Sequence, residues 1–460
     1  MTKDNKAGIV KNIRKGKWAN VIYWTVMYTY VFMCATKYFI YEDGLLSFDF
    51  SMTTLYQHIA LLGSIIIGFF ILRRHRLAIP KRVLTIIALL MIMFGAIFEG
   101  ARSNLIYLIF LSVILGQIAD CSLLTYIYEM NNSERLYGIF FCHLLVAAVS
   151  IYSIRFNRQT AEFWWLIFAL CFVAAVFCFL EKKDTEWEIA IPEEFQKKLY
   201  VPLILACIGG VVAVSSSMLV MEKLAPLLPN ARYFFYGGAA IGAVVYFLEY
   251  RFAPKPATVT LLTGFSTAVV CIFGYVLTTN KAVMFLSASF AGATFNICMM
   301  NLYYILCNII KKYKNSHMLK VAPITSNFAG IVIVVISTVM FFYADDSVVK
   351  IWLSLCLIGD VIVLATSVFW HKGVAVTAQE EEYMHFDTTI TRAQAYEAVG
   401  LTEKEIEVAD LLAEGLSLRE IANKLFISEN TAKTHRSSVY KKMQVASREE
   451  LVEKLKHTIG

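Results

Sequence analysis

Twelve apolar runs, each close to the length a helix needs to cross a hydrocarbon layer, dominate this chain of 460 residues. They fall at 18–41, 53–72, 83–98, 104–127, 136–154 and 163–180, then at 200–221, 233–250, 258–278, 283–310, 321–342 and 348–370. A bilayer core about 30 Å thick is spanned by roughly 20 residues of helix. An open strand would leave its backbone amides unsatisfied in lipid, so each run is expected to be a helix. Composition agrees: 58% of residues are hydrophobic and only 17% are charged, and the mean hydropathy is +0.60. Lipid is the expected solvent for most of the molecule. Residues 401–460 have an ordinary soluble composition, so two parts with two solvents are expected.

The fold class expected is all-α: a polytopic helical membrane bundle of about twelve spans, six plus six, followed by a small four-helix domain. The boundaries are 1–370 for the membrane part, 371–400 for a polar linker and 401–460 for the tail. The linker, with its Glu380-Glu381-Glu382 run, is expected to be a short helix or disordered. The basic segment from Lys3 to Lys17 leads into a full-length apolar run and reads as the approach to a retained first span.

Orientation follows from Lys and Arg in alternate loops. One set is rich in them: Lys3 to Lys17, then Arg73, Arg74, Arg76, Lys81 and Arg82, then Arg135. It continues with Lys182, Lys183, Lys197 and Lys198, with Arg251 and Lys255, and with Lys311, Lys312, Lys314 and Lys320. The other set holds only Arg102, Arg155, Arg158, Lys223, Arg232, Lys281 and Lys350. The positive-inside rule places the rich set in the cytoplasm, and an even span count then places both termini there. The polar stretch 181–199 divides the runs six and six. That arrangement resembles the major facilitator superfamily. The loop after the second run keeps the basic residues usual there but lacks the superfamily's Asp, so transport is not implied.

The ten cysteines (Cys34, Cys121, Cys142, Cys171, Cys178, Cys207, Cys271, Cys298, Cys307 and Cys356) all lie in apolar runs and form no C-x-x-C pair. They read as small packing residues. Polar groups inside the runs cost more: Lys37, His58, Gln117, Asp120, His143, Asn296, Asn301 and Asp360. Asp120 and Asp360 are the sharpest candidates for a ligand or proton site, and hydrogen bonding between helices is the alternative for either.

The tail carries the most specific pattern. Thr402 with Glu405, Ser417 with Glu420 and Ser447 with Glu450 have the spacing of capping boxes, and Ser428 is a further N-cap. Gly415 stands where a left-handed residue ends a helix. Helices are expected near 402–414, 417–425, 428–443 and 447–457, with Val408, Leu412, Ile421, Ala422, Leu425, Ile427, Ala432, Val439 and Leu451 as their core. The second and third are joined by the short turn of a helix-turn-helix. On the third, Asn430, Lys433, Thr434, Ser437 and Lys441 recur at helical spacing, and 430–448 holds five Lys or Arg and no acid. Such a field suits insertion into the major groove of double-stranded DNA.

These residues resemble the LuxR-type (FixJ/NarL-type) helix-turn-helix. The resemblance rests on Leu401-Thr402-Glu403-Lys404-Glu405-Ile406, on Leu411-Leu412-Ala413-Glu414-Gly415-Leu416-Ser417, and on Glu420-Ile421-Ala422. It continues through Leu425-Phe426-Ile427-Ser428-Glu429-Asn430-Thr431-Ala432-Lys433-Thr434-His435 and Val439-Tyr440-Lys441-Lys442-Met443. Ala432 replaces the Val favoured in the family, and Gln444 a common Gly. The resemblance implies that Lys433, Thr434 and Ser437 face base edges. It implies phosphate contacts from Ser417, Thr431, His435 and Lys441, and a homodimer on a two-fold site, with the fourth helix as interface.

The expected function is therefore a membrane-bound one-component transcription regulator of the bacterial cell membrane, controlled by a small-molecule ligand. A transporter with a fused regulatory domain is the alternative. No nucleophile–base pair, metal cluster or phosphate loop is evident, so neither an enzyme nor a cofactor is expected.

Overall fold

The computed structural model describes residues 17–36, 39–42, 45–48, 52–71, 78–156, 159–181, 200–228, 230–253, 256–277, 279–312, 321–379, 401–443 and 445–452. The chain divides into two compact units, Met1–Tyr383 and Met384–Gly460.

The first unit is built from long helices, one over each apolar run. They are α1 (Trp18–Thr36), α2 (Met52–Ile71), α3 (Ala78–Ile97), the short α4 (Glu99–Ser103), α5 (Leu105–Glu129), α6 (Asn132–Tyr152) and α7 (Ala161–Leu180). After the central polar stretch come α8 (Tyr200–Leu224), α9 (Ala231–Phe252), α10 (Pro256–Leu277), α11 (Lys281–Lys312), α12 (Val321–Tyr343) and α13 (Asp346–Gln379). Among the described residues nine helices are long and apolar enough to cross a membrane: α3, α5 to α11, and α13. A helix lies on each of the twelve runs expected as spans, and nine of these helices have the length and hydropathy of a span among the described residues.

An exposed apolar stripe is legible on α3. Ile79, Val83, Ile86, Leu90, Phe94 and Ile97 are all exposed and recur every three or four residues, whereas Ala88 and Ile92 are buried. A water-soluble helix would bury such a stripe, so its exposure here fits a membrane-facing surface.

Two departures from the sequence expectations are local. The first helix stops at Thr36, and a hairpin of two four-residue strands, β1 (Phe39–Glu42) and β2 (Leu45–Phe48), follows it, pairing Phe39 with Phe48 and Glu42 with Leu45. The last helix of the unit runs on to Gln379, nine residues into the stretch expected as linker. Residues 380–400, the remainder of that linker, lie outside the described residues.

The helices pack as a repeated set. In the first half α2 lies on α5, α3 on α5 and α7, and α1 on α6 and α7. In the second half α9 lies on α11, α10 on α11 and α13, and α8 on α12 and α13. Each pair maps onto its counterpart when α1, α2, α3, α5, α6 and α7 are matched to α8 to α13 in order. The halves meet through α6 with α9 and α2 with α12, contacts that the same matching exchanges. Such an exchange is what two parallel repeats about a pseudo-two-fold axis would produce.

Small residues permit the closest approaches. A Cβ at Gly242 would stand 2.8 Å from the Ala293 backbone, and one at Gly238 or Gly292 would overlap Ser289 or Phe235. Gly238 and Gly242 form the small-xxx-small face of α9 against α11. The matching pair uses Gly116, where a Cβ would lie 2.7 Å from Leu61 O.

Buried polar atoms join these helices, as expected for side chains without water. Gln117 Nε2 donates to Ser64 O at 2.6 Å, and Thr260 donates to Asn301 Oδ1 at 2.8 Å. Several residues counted as loop charge are structural. Lys81 forms a buried ion pair with Glu181, with the Tyr23 ring 4.8 Å from its ammonium. Arg135 is 1% exposed and donates to Ile127 O at 2.9 Å and Met130 O at 3.0 Å, neutralising the C-terminal carbonyls of α5. All ten cysteines are free and buried.

The second unit holds α14 (Glu403–Ala413), α15 (Leu418–Leu425) and α16 (Glu429–Met443), with a further helical segment at 448–452. Its core is Leu401, Val408, Ala409, Leu411, Leu412, Ile421, Ala422, Ala432, Val439, Met443 and Leu451, with Leu425 and Ile427 packed partly buried against it.

Candidate nucleic-acid interface

The geometry of the tail is set by its helix ends. Thr402 and Ser417 both close capping boxes: Thr402 N donates to Glu405 at 2.7 Å, and Ser417 N to Glu420 at 2.7 Å. Each hydroxyl accepts from the third helical amide. Ser428 Oγ accepts from Thr431 N at 3.1 Å and starts α16. Ser447 accepts from Glu450 N at 3.1 Å, but the Glu450 carboxylate reaches back to Ala446 N, one residue before the expected partner. The fourth helix is described as far as 452; the rest of its expected span, and Gln444, lie outside the described residues.

Gly415 has φ +103°. Its amide bonds Leu412 O at 3.2 Å while that of Leu416 bonds Leu411 O at 3.1 Å, the two bonds of a Schellman ending. Arg448 Nε adds a bond to Leu412 O at 2.7 Å. The end of α15 repeats this pattern: Ile427 N bonds Ala422 O at 3.0 Å and Phe426 N bonds Asn423 O at 3.4 Å. Here the left-handed residue is Phe426, at φ 53°. It is 96% exposed. Sequence reasoning passed over it because nothing in a Phe announces a left-handed position.

These two endings fix α16 across α15 with one face outward. Asn430, Thr431, Lys433, Thr434, Ser437 and Lys441 are exposed, while Ala432, Val439 and Met443 point into the core. His435 is half-buried, and Ser417 is exposed at the start of α15. Thr434 donates its hydroxyl to Asn430 O at 3.0 Å, so its hydrogen is already engaged. All seven residues singled out in the tail therefore lie at the surface of α16 or at the N-terminus of α15.

The basic field is narrower than its composition suggests. Lys442 pairs with Glu405 at 2.7 Å, and Ser438 donates to the other oxygen of that carboxylate. Burial acts to raise the Glu405 carboxyl, but bonds from Lys442, Ser438 and Thr402 prevail and hold it down to about 2. Arg436 lies over the Tyr440 ring at 5.8 Å. Lys433 and Lys441 are left as the outward lysines of α16.

In the membrane unit, Asp120 on α5 and Asp360 on α13 are 0% and 1% exposed and belong to different halves. A Cβ at Gly68 would overlap the Asp120 carboxylate, which places that acid in the α2–α5 contact. The structure instead brings together two other polar residues. His143 Nδ1 on α6 and Asn296 Oδ1 on α11 are 2.8 Å apart across the halves.

Residues 399–455 match the family of bacterial regulatory proteins, luxR family. The class defined by this fold and surface is accordingly the LuxR-type helix-turn-helix domain, carried at the C-terminus behind a set of membrane-capable helices. Relatives that the chain resembles over short stretches are named as transcriptional regulators. The transcriptional regulatory protein LnrK of Bacillus subtilis is 48% identical over 52 residues, 11% of this chain and 24% of its own length. The CsgBAC operon transcriptional regulatory protein of Escherichia coli is 44% identical over 61 residues, 13% of this chain and 28% of its own. An HTH-type transcriptional regulator of Mycobacterium bovis is 36% identical over 85 residues, 18% and 10%. The chain thus spans between about a tenth and three-tenths of the length of these relatives.

Proposed function

We propose that this protein is a membrane-bound one-component transcription regulator, not an enzyme, which reads DNA through α16 and is controlled by a small molecule bound in its membrane unit. The observation that carries this reading is the outward face of Lys433, Thr434, Ser437 and Lys441 on the recognition helix of a luxR-family domain. Lys433 donates to guanine O6 and N7, Thr434 offers its methyl to thymine, and Ser437 meets a neighbouring base edge. Ser417, Thr431, His435 and Lys441 hold phosphates and fix the register. Two copies bind a two-fold site, with the fourth helix as their contact. The chain sits in the bacterial cell membrane with both termini cytoplasmic, and Asp120 and Asp360 are two buried acids at which a ligand or proton would act.

The test is genome-wide DNA occupancy of the tagged full-length protein beside a Lys433→Ala, Thr434→Ala double variant. Discrete promoter peaks that vanish in the variant are expected. Peaks that are absent, or unchanged by the substitutions, sink the base-reading assignment. The repeated six-helix packing favours a second reading, a transporter with a fused regulatory domain. That reading requires substrate flux in reconstituted vesicles, whereas a sensor binds without flux.

A further inference from the structure

Recognition helices meet base edges through the residues of their N-terminal turns. Asn430 is the second residue of α16. At about 100° per residue it stands directly opposite Val439, which is fully buried in the core. Ser437 and Lys441 lie within about 20° of the same line, Thr434 about 40° to one side and Lys433 about 60° to the other. Asn430 therefore marks the centre of the outward face, about one turn nearer the helix start than Lys433. Its acidic neighbour Glu429 is turned about 100° from that centre.

Asn is a poor residue for a helix interior and is favoured where its side chain caps the first turn. Here that role is already filled. Ser428 Oγ accepts from Thr431 N at 3.1 Å and bonds the Thr431 hydroxyl at 2.7 Å. The Asn430 side-chain amide is exposed and forms no hydrogen bond among the described residues. What Thr434 bonds is the Asn430 backbone oxygen. Other polar groups of α16 are committed away from the outward face: Ser438 and Lys442 both bond Glu405. With its hydrogen given to Asn430 O, the Thr434 hydroxyl can only accept. Asn430 is thus the residue of this face that offers a donor and an acceptor side by side.

We propose, resting on the DNA-reading function given above, that Asn430 is a further specificity-determining residue and reads an adenine beside the guanine read by Lys433. In the major groove adenine pairs an acceptor, N7, with a donor, N6–H. Asn430 Nδ2 donates to N7 while its Oδ1 accepts from N6. Guanine presents two acceptors in those places and repels the amide oxygen; cytosine and thymine lack one half of the pair. Asn430 and Lys433 are about 4.5 Å apart along the helix axis, and base pairs are stacked about 3.4 Å apart. The adenine and the guanine accordingly fall about one or two pairs from each other in one half-site.

The test is selection of a library of random duplexes by the full-length protein in lipid nanodiscs, read by sequencing. An enriched half-site with adenine and guanine at that separation is expected, adenine being preferred by about tenfold. Asn430→Ala should abolish the adenine preference and leave that for guanine, whereas Lys433→Ala should do the reverse. Asn430→Asp keeps the acceptor and loses the donor, so the preferred base at that position should become cytosine, whose N4–H donates. A structural role for Asn430 would weaken all duplexes alike and leave the preferences in place. That result, or an adenine preference that survives Asn430→Ala, overturns the proposal. A motif that depends on Lys433 and not on Asn430 removes this inference alone. No enriched motif, or one indifferent to Lys433→Ala, removes the base-reading function and this inference with it.

Discussion

Phe426 holds a backbone conformation that L-residues enter at a cost of roughly 1–2 kcal/mol, and with 96% of it exposed no burial repays that cost. Phe426→Gly should therefore stabilise the tail by about 1 kcal/mol, seen as slower amide exchange in α15 and α16 of the full-length protein. Unchanged or faster exchange would mean that the aromatic ring contributes in some other way. Glu405 is the opposite case, a carboxylate whose folded value near 2 lies below the roughly 4.3 of an unfolded Glu. A depressed folded pKa contributes stability that is complete above the unfolded value and is lost as pH falls through the folded one. The tail should hold its stability at neutral pH and lose about 1–2 kcal/mol between roughly pH 4.5 and 2, screening at the partly exposed Lys442 included. Glu405→Gln should remove that part of the pH dependence and lower stability at pH 7 by a similar amount, measured by the same exchange across a pH series.

At the scale of elements, the α9–α11 contact is decided by where its glycines face. Gly238→Leu should cost several kcal/mol and collapse the yield of folded protein, because its Cβ would overlap the Ser289 backbone of α11. Gly237→Leu should be tolerated, since a Cβ there meets nothing within 4 Å. Thermal unfolding of the two variants in detergent checks the pair, and equal melting would refute the close-approach account. Much of this level was legible in the sequence: each apolar run is a helix, and the capping pairs at Thr402 and Ser417 sit where their spacing put them. The misses have physical causes. Lys442 reads as DNA-facing charge until Glu405, 37 residues away in sequence, is folded against it. The His143–Asn296 bond joins residues 153 apart, a distance over which no local pattern carries information. The hairpin after α1 begins at the end of an apolar run and finishes beyond it, and four-residue strands carry too little periodicity to read.

For the whole molecule, the side of the membrane on which the tail emerges depends on parity, and parity depends on a single helix. Hydropathy alone counts nine spans among the described residues, leaving out α1, α2 and α12. If α1 and α2 both cross, they cross and recross, and the pair does not alter the side of anything that follows. Helix α12 does. Without it, the tail would emerge opposite the α7 end at Glu181, away from DNA. The packing argues that α12 spans, since it lies on α8 as α6 lies on α1, and it completes the α2–α12 contact that mirrors α6–α9. Alkaline phosphatase, active only when exported, should be inactive when fused after Glu181 or Gly460 and active when fused after Leu227 or Asp345. Activity at Asp345 is the decisive result, because that residue joins α12 to α13. An inactive fusion there with an active one at Gly460 would put the recognition helix outside the cell, where no arrangement of Lys433 and Thr434 could regulate transcription.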